Sequence, residues 1–104
     1  MRIIAESNLR LFWEDNPTVR EPLQVWIQET RKAVWKSPHE VKDLYGTSSI
    51  LPNDRICFNI KGNHFRLIVA VSFSAGIVQI KFIGTHENYD TVNAETVDQF
   101  ARNR

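Results

Sequence analysis

Phe58-Asn59-Ile60-Lys61-Gly62-Asn63-His64-Phe65-Arg66-Leu67-Ile68 decides how this chain folds. Apolar and polar residues alternate on both sides of Gly62-Asn63, a pair suited to a tight turn between strands. Side chains alternate across a strand, so the turn sets a register. A two-residue turn pairs Lys61 with His64 and Asn59 with Arg66, placing these four on one face. Ile56, Phe58, Ile60, Phe65, Leu67, Val69, Val71 and Phe73 fall on the other, which is uniformly apolar and reads as the core.

The pattern extends in both directions. Strands are predicted at about 55–61, 64–73 and 77–84, with Ser74-Ala75-Gly76 as the second turn. A two-residue turn at Ala75-Gly76 pairs Ala70 with Lys81 and Arg66 with Thr85. Val78, Ile80 and Phe82 then join the core, while Lys81 joins the polar face with Ile68 and Ile83. A slip of one residue would bury Lys81 and expose Phe82, so the pattern favours this register. Thr47 to Asp54 reads as a polar loop. A last helix is predicted near Ala94–Ala101.

Upstream the period changes. Ile3-Ile4 suits a short strand, and residues 7–15 a short helix capped by Ser7 and ended by Asn16-Pro17. Val19, Leu23, Trp26, Ile27, Thr30 and Val34 recur at three- and four-residue spacing, predicting an amphipathic helix of about 17 residues. Trp26 lies on its apolar stripe and reads as core; Trp35 sits at its end. Ser37-Pro38-His39-Glu40 is a helix start in which Ser37 caps, Pro38 takes the first turn and Glu40 reaches back. The expected fold class is α+β, a single domain over 1–104. Its N-terminal helices pack on one face of a small, mainly antiparallel β-sheet.

Composition narrows the function classes. A chain of 104 residues has room for one modest core and little for a deep cavity, which favours a large substrate lying across an open face. The single Cys57 excludes an internal disulfide and a cysteine-cluster metal site, and its strand position suits a structural thiol. Met1–Glu6 lacks the apolar run of a signal peptide, and no stretch approaches the ~20 apolar residues of a membrane span. A cytoplasmic protein without membrane contact is expected. Net charge is only +1, but its distribution is uneven. Between Asp54 and Glu87 there is no Asp or Glu, while Arg55, Lys61, Arg66 and Lys81 give that interval +4 and leave the rest at −3. Strands are poor in carboxylates in any case, yet one basic face suits a phosphate-bearing partner.

That face offers Lys, Arg, His and Tyr. A two-metal nuclease needs several carboxylates, and only Glu87 and Asp90 stand nearby, so neither metal nor cofactor is expected. The set suits RNA cleavage by the substrate's own 2′-hydroxyl, with a base, an acid and cations that stabilise the phosphorane-like transition state. Arg66 is the first candidate for charge stabilisation, since a guanidinium presents paired donors to phosphate. His86 is the candidate acid or base, and Lys61 a second stabiliser or base. Lys81 and His64 are candidate phosphate contacts, and Tyr89 can stack on a base. Each also has a plain surface or packing role open to it.

Phe58-Asn59-Ile60-x-Gly62-Asn63-x-x-Arg66-Leu67, followed by Gly84-Thr85-His86-x-x-Tyr89-Asp90, resembles the HigB family of toxins from bacterial toxin–antitoxin pairs, in the RelE-like group of messenger-RNA endoribonucleases. The resemblance covers most of the chain and is most specific in its C-terminal half. It implies a RelE-like fold, cleavage of messenger RNA on the ribosome, and neutralisation by a HigA-like helix-turn-helix antitoxin. It carries over Arg66, His86 and Tyr89; His64 stands where the family pattern accepts other residues. Two alternatives remain at this level. One is a non-catalytic RNA- or ribosome-binding protein using the same face. The other is a protein-interaction module with Ile68 and Ile83 as its contact patch.

Overall fold

A computed structural model describes residues 1–101. In chain order its elements are β1 (Arg2–Ile4), α1 (Ser7–Asp15), a 3-10 turn (Pro17–Val19), α2 (Arg20–Lys32), α3 (Pro38–Leu44), β2 (Ser49–Leu51), β3 (Arg55–Ile60), β4 (Phe65–Ser72), β5 (Ile77–Thr85) and α4 (His86–Tyr89). The strands form one sheet in the order β1-β5-β4-β3-β2, parallel only between β1 and β5. This α+β architecture, helices against a mainly antiparallel sheet, is the one expected.

The β3–β4 hairpin has the register read from the sequence: Asn59 stands opposite Arg66 and Ile60 opposite Phe65. Lys61 and Gly62 both take positive φ, +53° and +64°, so Lys61 belongs to the turn and not to the strand. Phe58, Ile60, Leu67, Val69 and Val71 meet Leu23, Trp26 and Ile27 of α2 in the main core, which also holds Trp35 and Val41. Phe58 is its aromatic centre, with ring centroids 5.4 Å from Trp26, 5.0 Å from Tyr45 and 6.0 Å from Trp35.

The helices need two corrections. α2 spans 13 residues and ends at Lys32, because Ala33 turns extended. Val34 therefore leaves the apolar stripe and is 72% exposed, while Trp35 turns inward and is buried. α1 has no side-chain cap at its N-terminus, so Ser7 does not cap it. Ser37 caps α3 as expected, accepting from the Glu40 amide at 3.3 Å with Pro38 in the first turn. Part of the expected polar loop, Ser49–Leu51, pairs with β3 as an edge strand.

The larger correction concerns β4–β5. Ala70 stands opposite Gln79, not Lys81. A bulge between Ile68 and Val69 then makes Lys81 an extra residue, flanked by Ile80 opposite Val69 and Phe82 opposite Ile68. Beyond the bulge the faces exchange. Ile83 enters the main core, whereas Phe82 joins Cys57 and Ile68 on the far side of the sheet. That side is not open along its length. Tyr89, Val92, Ala94 and Val97 pack over Cys57, Ile68 and Phe82. Residues 94–101 run as a strap of turns in place of the predicted helix.

Polar contacts fasten the strap. Arg55 Nη1 donates to the carbonyls of Ala94 (3.3 Å) and Val97 (2.6 Å). The Gln99 amide donates to Lys81 O at 2.9 Å, and Gln99 Oε1 accepts from the Ile83 amide at 2.9 Å. Ile68 is buried under the strap and Ile83 in the main core, so the two form no exposed contact patch. Among the described residues no helix is long and apolar enough to cross a membrane.

Candidate active site

Beyond the strap, at the end of the sheet where β3 turns into β4 and β5 gives way to α4, the polar residues converge. Arg66 lies on the far face opposite Gly84 and is only 8% exposed. Among the described residues it has no carboxylate partner. Its guanidinium is held instead by neutral groups. Nη2 donates to Asn63 Oδ1 at 2.6 Å, and Nη1 donates to Asn63 O at 3.0 Å. Nη2 also lies 3.1 Å from His86 Nδ1, and the guanidinium carbon sits 5.7 Å from the centre of the Tyr89 ring.

A guanidinium only donates, so Nδ1 of His86 accepts and the ring proton sits on Nε2. Nε2 is 3.9 Å from Asp90 Oδ2, and the His86 side chain remains about half exposed. His86 is thus fixed on one edge and open on the other.

Local sequence explains why these groups arrive together. Thr85 caps α4 by accepting from the Asn88 amide (3.1 Å), and Asn88 Oδ1 accepts from the Thr85 amide (3.2 Å). This reciprocal cap turns the chain sharply after β5 and places His86 and Tyr89 one turn apart, both toward Arg66. The His86 amide donates to His64 O at 3.0 Å, tying the turn to the hairpin. Gly84 makes room: a Cβ there would stand 2.7 Å from Phe82 Cζ and 3.1 Å from Asn88 Cβ.

Burial and neighbours set the protonation of the inner groups. Burial raises the Tyr89 phenol above its ordinary range, the neighbouring Cys57 adds to the rise, and Arg66 opposes it. Burial likewise raises the Cys57 thiol against an opposing pull from Arg66. Both keep their protons at neutral pH. Cys57 is a buried thiol beneath Tyr89, with no thiolate to act as nucleophile.

A cleft of about 440 Å³ opens beside this cluster, lined by Lys61, Asn63, His64, His86 and Glu87 among others. Of the residues named from sequence, His86 and Tyr89 each contact Arg66, and Lys61 and His64 share the cleft with His86. Lys81 is not brought to the cleft. The bulge turns it under the strap, where Nζ meets Asp98 Oδ2 at 3.3 Å. Two contributors were not named from sequence. Asn63 reads as a turn former there, yet its side chain holds Arg66. Glu87 is, among the described residues, the one carboxylate lining the cleft.

A comparison with curated proteins finds no match. A family model does match, over residues 19–92, a span that includes α2, α3, β2–β5, α4 and every member of the cluster just described. The match is to the HigB toxin model, whose description is the RelE-like toxic component of a toxin–antitoxin system. With most of its length covered, the chain belongs to the HigB toxin family.

Proposed function

We propose that this toxin is an endoribonuclease that cleaves messenger RNA on the ribosome, without a metal, through attack by the substrate's own 2′-hydroxyl. The observation that carries the reading is Arg66. A buried cation without a carboxylate partner is costly unless something offsets its desolvation. Here Asn63 O, Asn63 Oδ1, His86 Nδ1 and the Tyr89 face hold it in place while leaving its charge uncompensated. Asn63 and His86, which hold Arg66, also line the adjoining cleft; a phosphate group brought past them to the guanidinium supplies the missing anion, and a fixed cation needs no reorganisation as charge builds on the phosphorane.

The remaining groups divide the other tasks. A base on the cleft wall, Glu87, Lys61 or His64, takes the 2′-hydroxyl proton as the 2′-oxygen attacks phosphorus. The bond from phosphorus to the 5′-oxygen breaks as that oxygen takes a proton from solvent, and the Nε2–H of His86 donates a hydrogen bond to the charge that develops on it. The products are a 2′,3′-cyclic phosphate and a free 5′-hydroxyl. Tyr89 holds the guanidinium from below and keeps its own proton. Among the described residues no group of three or more His, Cys, Asp or Glu side chains could hold a metal. Cytoplasmic action and a HigA-like antitoxin follow from the same reading.

The test is to induce the chain without its antitoxin and map new 5′ ends of cellular messages. Arg66→Ala should reduce cleavage about 10²–10³-fold, as loss of one transition-state donor does. His86→Ala should also abolish most of it. Purified toxin stripped of metal with EDTA and returned to ribosome buffer should cut ribosome-bound message and leave free RNA largely intact. Growth arrest and RNA affinity without new 5′ ends would establish the non-catalytic binding alternative. Unchanged cleavage in both variants would remove this cluster from the mechanism.

A further inference from the structure

A second cleft lies on the other side of Lys61. It has a volume of about 590 Å³ and shares Lys61 and Thr18 with the catalytic cleft, so the two are neighbouring compartments. Their linings differ. Beside the shared Lys61 the catalytic cleft has two imidazoles and Glu87, whereas this one has Phe58, Tyr45 and Ile60 and, along α2, Glu21 and Glu29. Glu21, Val25 and Glu29 fall four residues apart, one stripe of the helix. Val25, between the two carboxylates, is 49% exposed.

An apolar groove with two carboxylates against one lysine disfavours phosphate and suits a polypeptide that carries apolar and basic side chains together. Membership of a toxin–antitoxin family implies one partner for this chain, the antitoxin. We propose that this groove is the docking site of the antitoxin, through an amphipathic segment that packs an apolar side chain on Val25 and Tyr45 and sets Lys or Arg against Glu21. At its far end the segment meets Lys61 and closes the entrance to the catalytic cleft. This last step rests on the function proposed above; the docking itself does not.

The experiment measures the affinity of the purified cognate antitoxin for the toxin and for two variants, Val25→Glu and Glu21→Lys. Each substitution is on an exposed helix position, and melting temperatures confirm folding. Both variants should bind antitoxin at least tenfold more weakly, and the Glu21→Lys loss should shrink at high salt. Without antitoxin, both should cleave message as wild type does. The same variants are titrated with a ten-nucleotide single-stranded RNA. Antitoxin affinities within twofold of wild type for both variants overturn the proposal. RNA affinity changed while antitoxin affinity is intact assigns the groove to RNA and overturns it too. If wild-type toxin binds antitoxin but cuts no message, the nuclease reading fails while the affinities still decide the groove.

Discussion

The two faces of the sheet use the same central strands and are closed by different means. On one, α2 and the extended Ala33–Trp35 segment press side chains onto Phe58, Leu67 and Val69 in a continuous apolar layer. On the other, a strap with little regular structure covers only Cys57, Ile68 and Phe82, and is fastened by Arg55, Gln99 and the Lys81–Asp98 pair. The first face provides the main core. The second stops short of Arg66, and where the cover ends the active-site cluster begins. Burial on that face is partial, and the proposed contact with RNA falls on the end that the strap leaves uncovered. The family match ends at residue 92, so most of the strap lies beyond the matched span.

Two Phe→Ala substitutions test the division. Phe58→Ala empties the centre of the aromatic layer and should cost about 3–5 kcal/mol, read from urea unfolding. Phe82→Ala removes an equally buried ring, but the strap above it can settle into the space, so its cost should fall at or below the lower end of that range. It should also speed amide exchange in residues 92–99 before the helices open. Equal losses with no selective exchange would mean that the two faces unfold as one unit.

The same division governs what could be read from sequence. Near-neighbour patterns exposed the helix face: the α2 stripe, the Ser37-Pro38 cap and the β3–β4 register all depend on residues close along the chain. The bulge did not show, because either placement of Lys81 leaves an alternating pattern; tertiary packing of Phe82 under the strap selects the one that forms. The strap did not show either. Arg55 reaches Ala94 and Val97 across about forty residues, and no periodicity announces such a bond. Arg66, His86 and Tyr89 stood out as residue types, but their contacts depend on a capping turn at Thr85. Asn63 was hidden because Gly-Asn already explains a turn.

Gly84 tests the border between the faces. A Cβ there meets the Phe82 ring on one side and Asn88 on the other, and both are held. Gly84→Ala should cost about 1–3 kcal/mol, as overpacking does. By displacing α4 it should also lower message cleavage, with a thermal melt and the 5′-end map as readouts. Full activity at full stability would show that α4 tolerates movement and that its cap does not set the site.

Alkaline pH separates the faces again. Tyr45, on the helix face, is pushed far above the usual phenol range by burial first and by its hydrogen bond to Glu29 second. A phenol with a raised folded value keeps its proton in the native state after the unfolded chain has lost it. Its stabilisation is present below about pH 10 and is lost as pH rises above that point. The slope should approach but not exceed about 1.4 kcal/mol per pH unit, reduced because Tyr45 is only partly buried. Tyr45→Phe should flatten it in urea titrations between pH 9 and 11. A slope unchanged by that substitution would move the effect to Tyr89, whose phenol is also raised.

Asn63 should give the smallest change in stability and the clearest separation of folding from function. Asn63→Ala removes one hydrogen bond to Nη2 while the backbone carbonyl still holds Nη1, so the loss should be about 0.5–1.5 kcal/mol. Cleavage should fall more than that, because the guanidinium is no longer fixed before substrate arrives. Asn63→Asp sharpens the point. A carboxylate at this position gives Arg66 the partner that it lacks, which should hold or raise stability and at the same time weaken RNA affinity and cleavage. Opposite signs in the two assays are expected only if the uncompensated charge of Arg66 is what binds phosphate. If stability and RNA affinity rise or fall together, Arg66 is a structural cation, and the open end of the sheet owes its affinity for RNA to Lys61 and His64 instead.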